Sequence, residues 1–145
     1  MKKLFLLLFI SGLFSQGLWM FNNRTHSELE WYTKKTKHFN IHYHLGIEEI
    51  ALKGTTIAEQ SIEILMKQMD LETLPILDII FTNEDEVLNG YAMFTNQTFI
   101  WVDQNDAAVW LEDEKWLKQV LTHELQHLVF MNAVSTWLPE PWSMG

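Results

Sequence analysis

Between Trp116 and Val129 the apolar residues Trp116, Leu117, Val120, Leu121, Leu125, Leu128 and Val129 recur every three or four positions. That period fits an amphipathic α-helix with one stripe packed inward, and it predicts a helix from about Glu112 to Ala133. Inside the stretch lies His123-Glu124-Leu125-Gln126-His127. Residues four apart on a helix sit one turn apart on one face, so both imidazoles can bind a single metal ion. The glutamate after the first histidine projects towards the water that such a metal polarises, where it can act as general base. The bland alternative is a helix with two ordinary histidines and a surface glutamate. A five-residue match also arises by chance, and its place deep inside a helix favours the metal-binding reading.

Composition narrows the chemistry. The chain has 145 residues, enough for one modest domain. A hydrophobic content of 48%, with seven Trp and nine Phe, argues for a packed core rather than disorder. A formal charge of −9 and no basic patch beyond Lys34-Lys35-Lys37 speak against nucleic-acid binding, because phosphates would be repelled. No cysteine is present, so disulfides, thiol catalysis and Cys-based zinc sites are excluded. Any metal must be held by histidine and carboxylate.

The N-terminus reads as an export signal. Lys2 and Lys3 precede the apolar run Leu4 to Phe14, and Ser15 and Gly17 suit a cleavage site after Gly17. The run is short for a spanning helix, which needs roughly 20 residues. An uncleaved anchor is the alternative, since Leu18-Trp19-Met20-Phe21 extends it. This divides the chain into a signal at 1–17, a polar lead-in at 18–37 and one domain at 38–145, exported to the periplasm, envelope or medium.

Within the domain, His38 to His44 alternates with Phe39, Ile41 and Tyr43 on one face, which marks a strand. A helical period runs from about Glu48 to Met69, with Gly54 weakening its first turns. Pro75 to Phe81 and Thr98 to Val102 read as further strands, and Asn83 to Gly90 as an acidic turn closed by Asn-Gly. Strand, helix, strand, strand, helix is an α+β pattern with a small sheet backed by both helices. The segment from Tyr91 to Val102 is expected to form one wall of a cleft beside the motif helix, where a peptide can add as a strand.

Two histidines leave a catalytic zinc site one protein ligand short. Glu140, 13 positions beyond His127, is the expected third ligand, with Asp103 at a strand end the weaker competitor. The bland reading of Glu140 is a solvent-exposed charge between two prolines. His38, His42 and His44 share parity; His42 and His44 could clamp a metal, although such a face is more often simply solvated.

On these residues the chain resembles the gluzincin zinc metallopeptidases, in particular the exported bacterial peptidase MA-like group. The resemblance rests on the strand at His38 to Tyr43, Asn89-Gly90-Tyr91-Ala92, the strand at Thr98 to Val102 and the helix bearing HELQH. Trp137-Leu138-Pro139-Glu140 resembles the family's Trp-x-x-Glu-Gly segment, with Pro141 where glycine is usual. Thr136, Trp137, Glu140, Ser143 and Met144 are also similar to hyicolysin-type peptidases. The resemblance implies a zincin-like N-terminal subdomain and Zn2+ held by His123, His127 and Glu140. It further implies Glu124 as general base and a peptide or protein as substrate. It also implies a following helical subdomain, so the C-terminal part of the domain is expected to be missing here. The rival expectation is a non-catalytic, zinc-binding envelope module.

Overall fold

The computed structural model describes His26 and residues 28–84, 89–102 and 115–137. The expected signal segment, Asp103 and Glu140 lie outside the described residues. In chain order the elements are β1 (Trp31–Lys35), β2 (Phe39–His44), α1 (Glu48–Gln68), β3 (Leu77–Thr82), β4 (Asn89–Met93), β5 (Gln97–Trp101) and α2 (Lys115–Trp137). The strands form one mixed sheet in the order β1-β2-β3-β5-β4. β2, β3 and β5 are parallel, while β1 and β4 are antiparallel at the two edges. The fold is α+β.

Strand register shows why both helices lie on one side. Phe39 pairs with Leu77 and Ile41 with Ile79, while Phe81 pairs with Ile100 and Ile100 with Gly90. Paired residues share a face, so these side chains form one inward surface. Phe81 on that surface meets Gly54 of α1, and Gly90 meets Val120 and Glu124 of α2. The core is therefore a single layer between sheet and helices. It joins Phe39, Ile41, Leu77, Ile79, Phe81 and Ile100 to Ala58 and Ile62 of α1 and Leu121, Leu125 and Leu128 of α2.

Helix α1 runs unbroken through Gly54, against the expectation of a weak start. A Cβ there would come within 2.4 Å of Phe81 Cζ, so the missing side chain is what lets helix and sheet close. At its other end Asp70 adopts φ 54°. The amide of Leu71 bonds the Met66 carbonyl and that of Asp70 the Lys67 carbonyl, a Schellman stop made with Asp in place of Gly.

Two strands depart from the sequence reading. The polar lead-in contains β1, whose Tyr32 to Lys35 are exposed, so it carries no apolar alternation to detect. Exposed lysines on an edge strand are an ordinary guard against pairing with other chains. The sheet therefore includes Trp31 to Lys35. Asn89-Gly90, expected to be a turn, opens β4 in extended conformation instead.

The histidines of the first predicted strand separate. His42 accepts from the Thr33 hydroxyl at 2.9 Å and donates to Asp78 Oδ1 at 3.3 Å. His44 is buried edge-on against Trp31. His38 turns to α1, where its Nδ1 donates to Glu59 at 2.6 Å and its amide at 3.1 Å. His42 and His44 keep the expected parity, but neither is simply solvated and they do not converge on one point.

Burial alone would raise the Glu59 carboxyl. Hydrogen bonds from Thr36 and His38, together with the His38 charge, outweigh burial and hold it below its ordinary 4.5. A carboxylate depressed on folding stabilises fully above the unfolded value, and that stability is lost as pH falls through the folded one. Glu59→Gln should thus lower the urea midpoint at pH 7 and flatten the decline of stability below about pH 4.5. An unchanged acid limb in the urea midpoints would refute this.

Candidate metal centre

Helix α2 presents two surfaces of different character around its motif. His123 and His127 are exposed, whereas Glu124 between them is only 6% exposed. Successive helical residues step about 100° around the axis, so the glutamate is turned from the histidine face towards β4. The inward stripe of Leu117, Leu121, Leu125, Leu128 and Val129 anchors that rotation, each residue being fully or nearly buried.

The two histidines converge. Their Nε2 atoms lie 3.1 Å apart, with ring centroids 4.6 Å apart and planes crossed at 87°. Without a metal, one Nε2–H donates to the other. A zinc ion at about 2.05 Å from both nitrogens would subtend roughly 100° between them at this separation, near the tetrahedral angle. The pair fits the metal. Among the described residues no group of three His, Cys, Asp or Glu side chains is gathered around one point, so the pair supplies two ligands. Glu140, the expected third, and Asp103, its competitor, lie outside the described residues.

The glutamate is fixed by a feature that the sequence reading missed. A Cβ on Gly90 would come within 2.6 Å of Glu124 Cγ, 2.7 Å of Val120 Cγ2 and 2.8 Å of Glu124 Oε1. Strand β4 therefore lies directly on the motif helix, and only glycine leaves room for the carboxylate beneath it. The signal was present as Asn89-Gly90-Tyr91-Ala92, but a glycine needed for close approach looks the same in sequence as one needed for a turn.

β4 lies alongside the histidine face and is an edge of the sheet among the described residues. It pairs with β5 on one side, and no further strand pairs with it among the described residues. The expected cleft wall thus narrows from Tyr91–Val102 to β4 and its hairpin turn. On the opposite flank, His123 borders a shallow open depression of about 470 Å³ formed with Lys115, Lys118, Gln119, Thr122 and Gln126. Comparison with family models, curated proteins and solved structures returns no match to this chain.

Two outcomes are expected. His123→Ala and His127→Ala should each abolish stoichiometric zinc binding in a calorimetric titration; undiminished binding in either would remove that residue from the site. Gly90→Ala forces Glu124 and Val120 aside and should destabilise the fold by about 1–3 kcal/mol, read from the urea midpoint. A wild-type midpoint would mean that the strand and helix are not in contact as described.

Proposed function

We propose that this chain has a zincin-like fold of the gluzincin type and hydrolyses peptide bonds with a zinc-activated water outside the cytoplasm. The observation that carries the reading is the convergence of the His123 and His127 nitrogens at 3.1 Å, with Glu124 held beside them under an edge strand. The α+β sheet with a terminal motif helix is consistent with that class of fold. Among the described residues no helix is long and apolar enough to cross a membrane. The export assignment rests on Lys2, Lys3 and the apolar run from Leu4 to Phe14.

In this reading His123, His127 and Glu140 hold the ion, which when bound supplies the positive charge that acidifies water and polarises the scissile carbonyl. The protein's own residues do the rest. β4 offers backbone N–H and C=O groups on which an extended peptide adds as a strand, setting its carbonyl over the histidine face. Glu124 takes a proton from the attacking water. The same carboxyl then returns the proton to the departing amine, which prevents the bond from re-forming. Burial beneath β4 restricts Glu124 to few rotamers, so little ordering is required at the moment of transfer.

Glu124→Gln should retain wild-type zinc stoichiometry and lose on the order of 10²–10⁴-fold in turnover of an unfolded protein substrate. Full activity in that variant would refute the assignment of the base. Tight zinc binding by the wild-type chain with no turnover would instead support the non-catalytic, zinc-binding module.

A further inference from the structure

Asn132 is out of place by composition. It continues the stripe Leu121, Leu125, Leu128 at helical spacing, where an apolar residue is expected and asparagine is a weak helix former. A half-buried amide at such a position is tolerated only if its hydrogens are bonded. Both are. Its Nδ2 donates to the Leu128 carbonyl at 2.8 Å and to Asn96 Oδ1 at 2.8 Å. The first bond fixes which end of the amide is nitrogen, since a backbone carbonyl can only accept.

The partner is equally specific. Asn96 closes the turn between β4 and β5 with φ 63°, in the left-handed region that asparagine tolerates better than most side chains. Its own carbonyl accepts from the Asp78 amide at 2.9 Å. One residue therefore ties the hairpin turn to the start of β3 through its backbone and to α2 through its side chain. Asn132 lies five residues beyond His127, about 7.5 Å along the helix axis.

We infer that Asn96 and Asn132 form a clamp that sets the position of β4 against the motif helix, and that they are positioning residues for substrate. Two contacts tie the β4–β5 hairpin to α2 at its opposite ends. Near the start of β4 Gly90 rests on Val120 and Glu124; beyond its end Asn96 is bonded to Asn132. Two fixed points define both the distance and the tilt of a strand beside a helix. The clamp thus governs where the backbone groups of β4 stand relative to the His123–His127 pair. It does so without touching the reacting atoms. The consequence for substrate rests on the peptidase reading; the mechanical coupling does not.

The test uses the full chain with Asn132→Leu, Asn96→Gly, the double variant and Asn96→Asp. Leu keeps the branched four-atom shape and removes the amide. Gly keeps the left-handed turn and removes the acceptor, whereas Asp keeps both the turn and an acceptor oxygen. Hydrogen exchange of those β4 amides that bond to β5 is read first, because it requires no activity. Asn132→Leu and Asn96→Gly should each accelerate it at least tenfold, the double variant no more than either single, and Asn96→Asp should match wild type. Zinc affinity, titrated with the metal alone, should stay within twofold throughout. For a quenched fluorogenic peptide that the wild type cleaves, KM should rise at least fivefold in the two disrupting variants with kcat within twofold.

Unchanged exchange in Asn132→Leu and Asn96→Gly, or additive effects in the double variant, would overturn the clamp. Accelerated exchange with unaltered KM would overturn its role in positioning substrate. A wild-type chain without turnover would remove the peptidase reading and the substrate role with it, leaving the exchange data to decide the coupling alone. If Asn132→Leu fails to fold, Asn96→Gly against Asn96→Asp decides the same point.

Discussion

The contact on which this molecule depends is the approach of β4 to the motif helix at Gly90. A strand backbone rests there directly on Val120 and Glu124, at a separation that any Cβ would break. Three consequences follow from that one contact. The Glu124 carboxylate is taken out of solvent, the sheet gains an edge beside the histidine face, and the free rotation of α2 about its axis is removed. An apolar stripe alone could bury α2 with several rotational offsets. The glycine contact selects the one in which the histidines face outward.

The opposite half of the domain uses the same device in reverse. At Gly54 the helix gives up its side chain and the sheet supplies the bulk, through Phe81; at Gly90 the sheet gives up its side chain and the helix supplies the carboxylate. Both contacts lie on the inward face of the sheet, and Phe81 and Gly90 both pair with or through Ile100. The two helices are consequently set against β3 and β4, with only β5 between those strands, close enough for the hydroxyls of Ser61 and Thr122 to meet at 3.4 Å. Close-packed interiors transmit such constraints, so the geometry around Glu124 is fixed partly by the packing of α1.

Legibility in the sequence followed burial. α1, α2, β2 and β3 place apolar residues inward at regular spacing, and each appears near its expected bounds. The edge strands do not. β1 carries exposed polar side chains from Tyr32 to Lys35, and β4 opens with Asn-Gly, so periodicity and turn chemistry both pointed away from strand. The convergence of His123 and His127 was legible because their spacing is a property of the helix itself. The contact of Gly90 and the Asn96–Asn132 bond span 30 or more positions of sequence, and neither partner advertises the other. Asn132 in particular reads as a flaw in an apolar stripe until its two hydrogen bonds are seen.

The order of residues within the motif then acquires a physical meaning. On a right-handed helix, position 124 lies about 100° from His123 and 60° from His127, on the side that faces β4. Position 126 lies at similar angles on the other side, where Gln126 is exposed and lines the open depression with Lys118 and Thr122. A glutamate at 126 would share the face with solvent, whereas at 124 it is enclosed between helix and strand. The two histidines are almost indifferent to this choice, since their spacing alone brings their nitrogens together. What encloses the carboxylate, in this fold, is the side on which the strand lies. That side is determined by β4, by the glycine that lets it approach and by the turn that holds its far end.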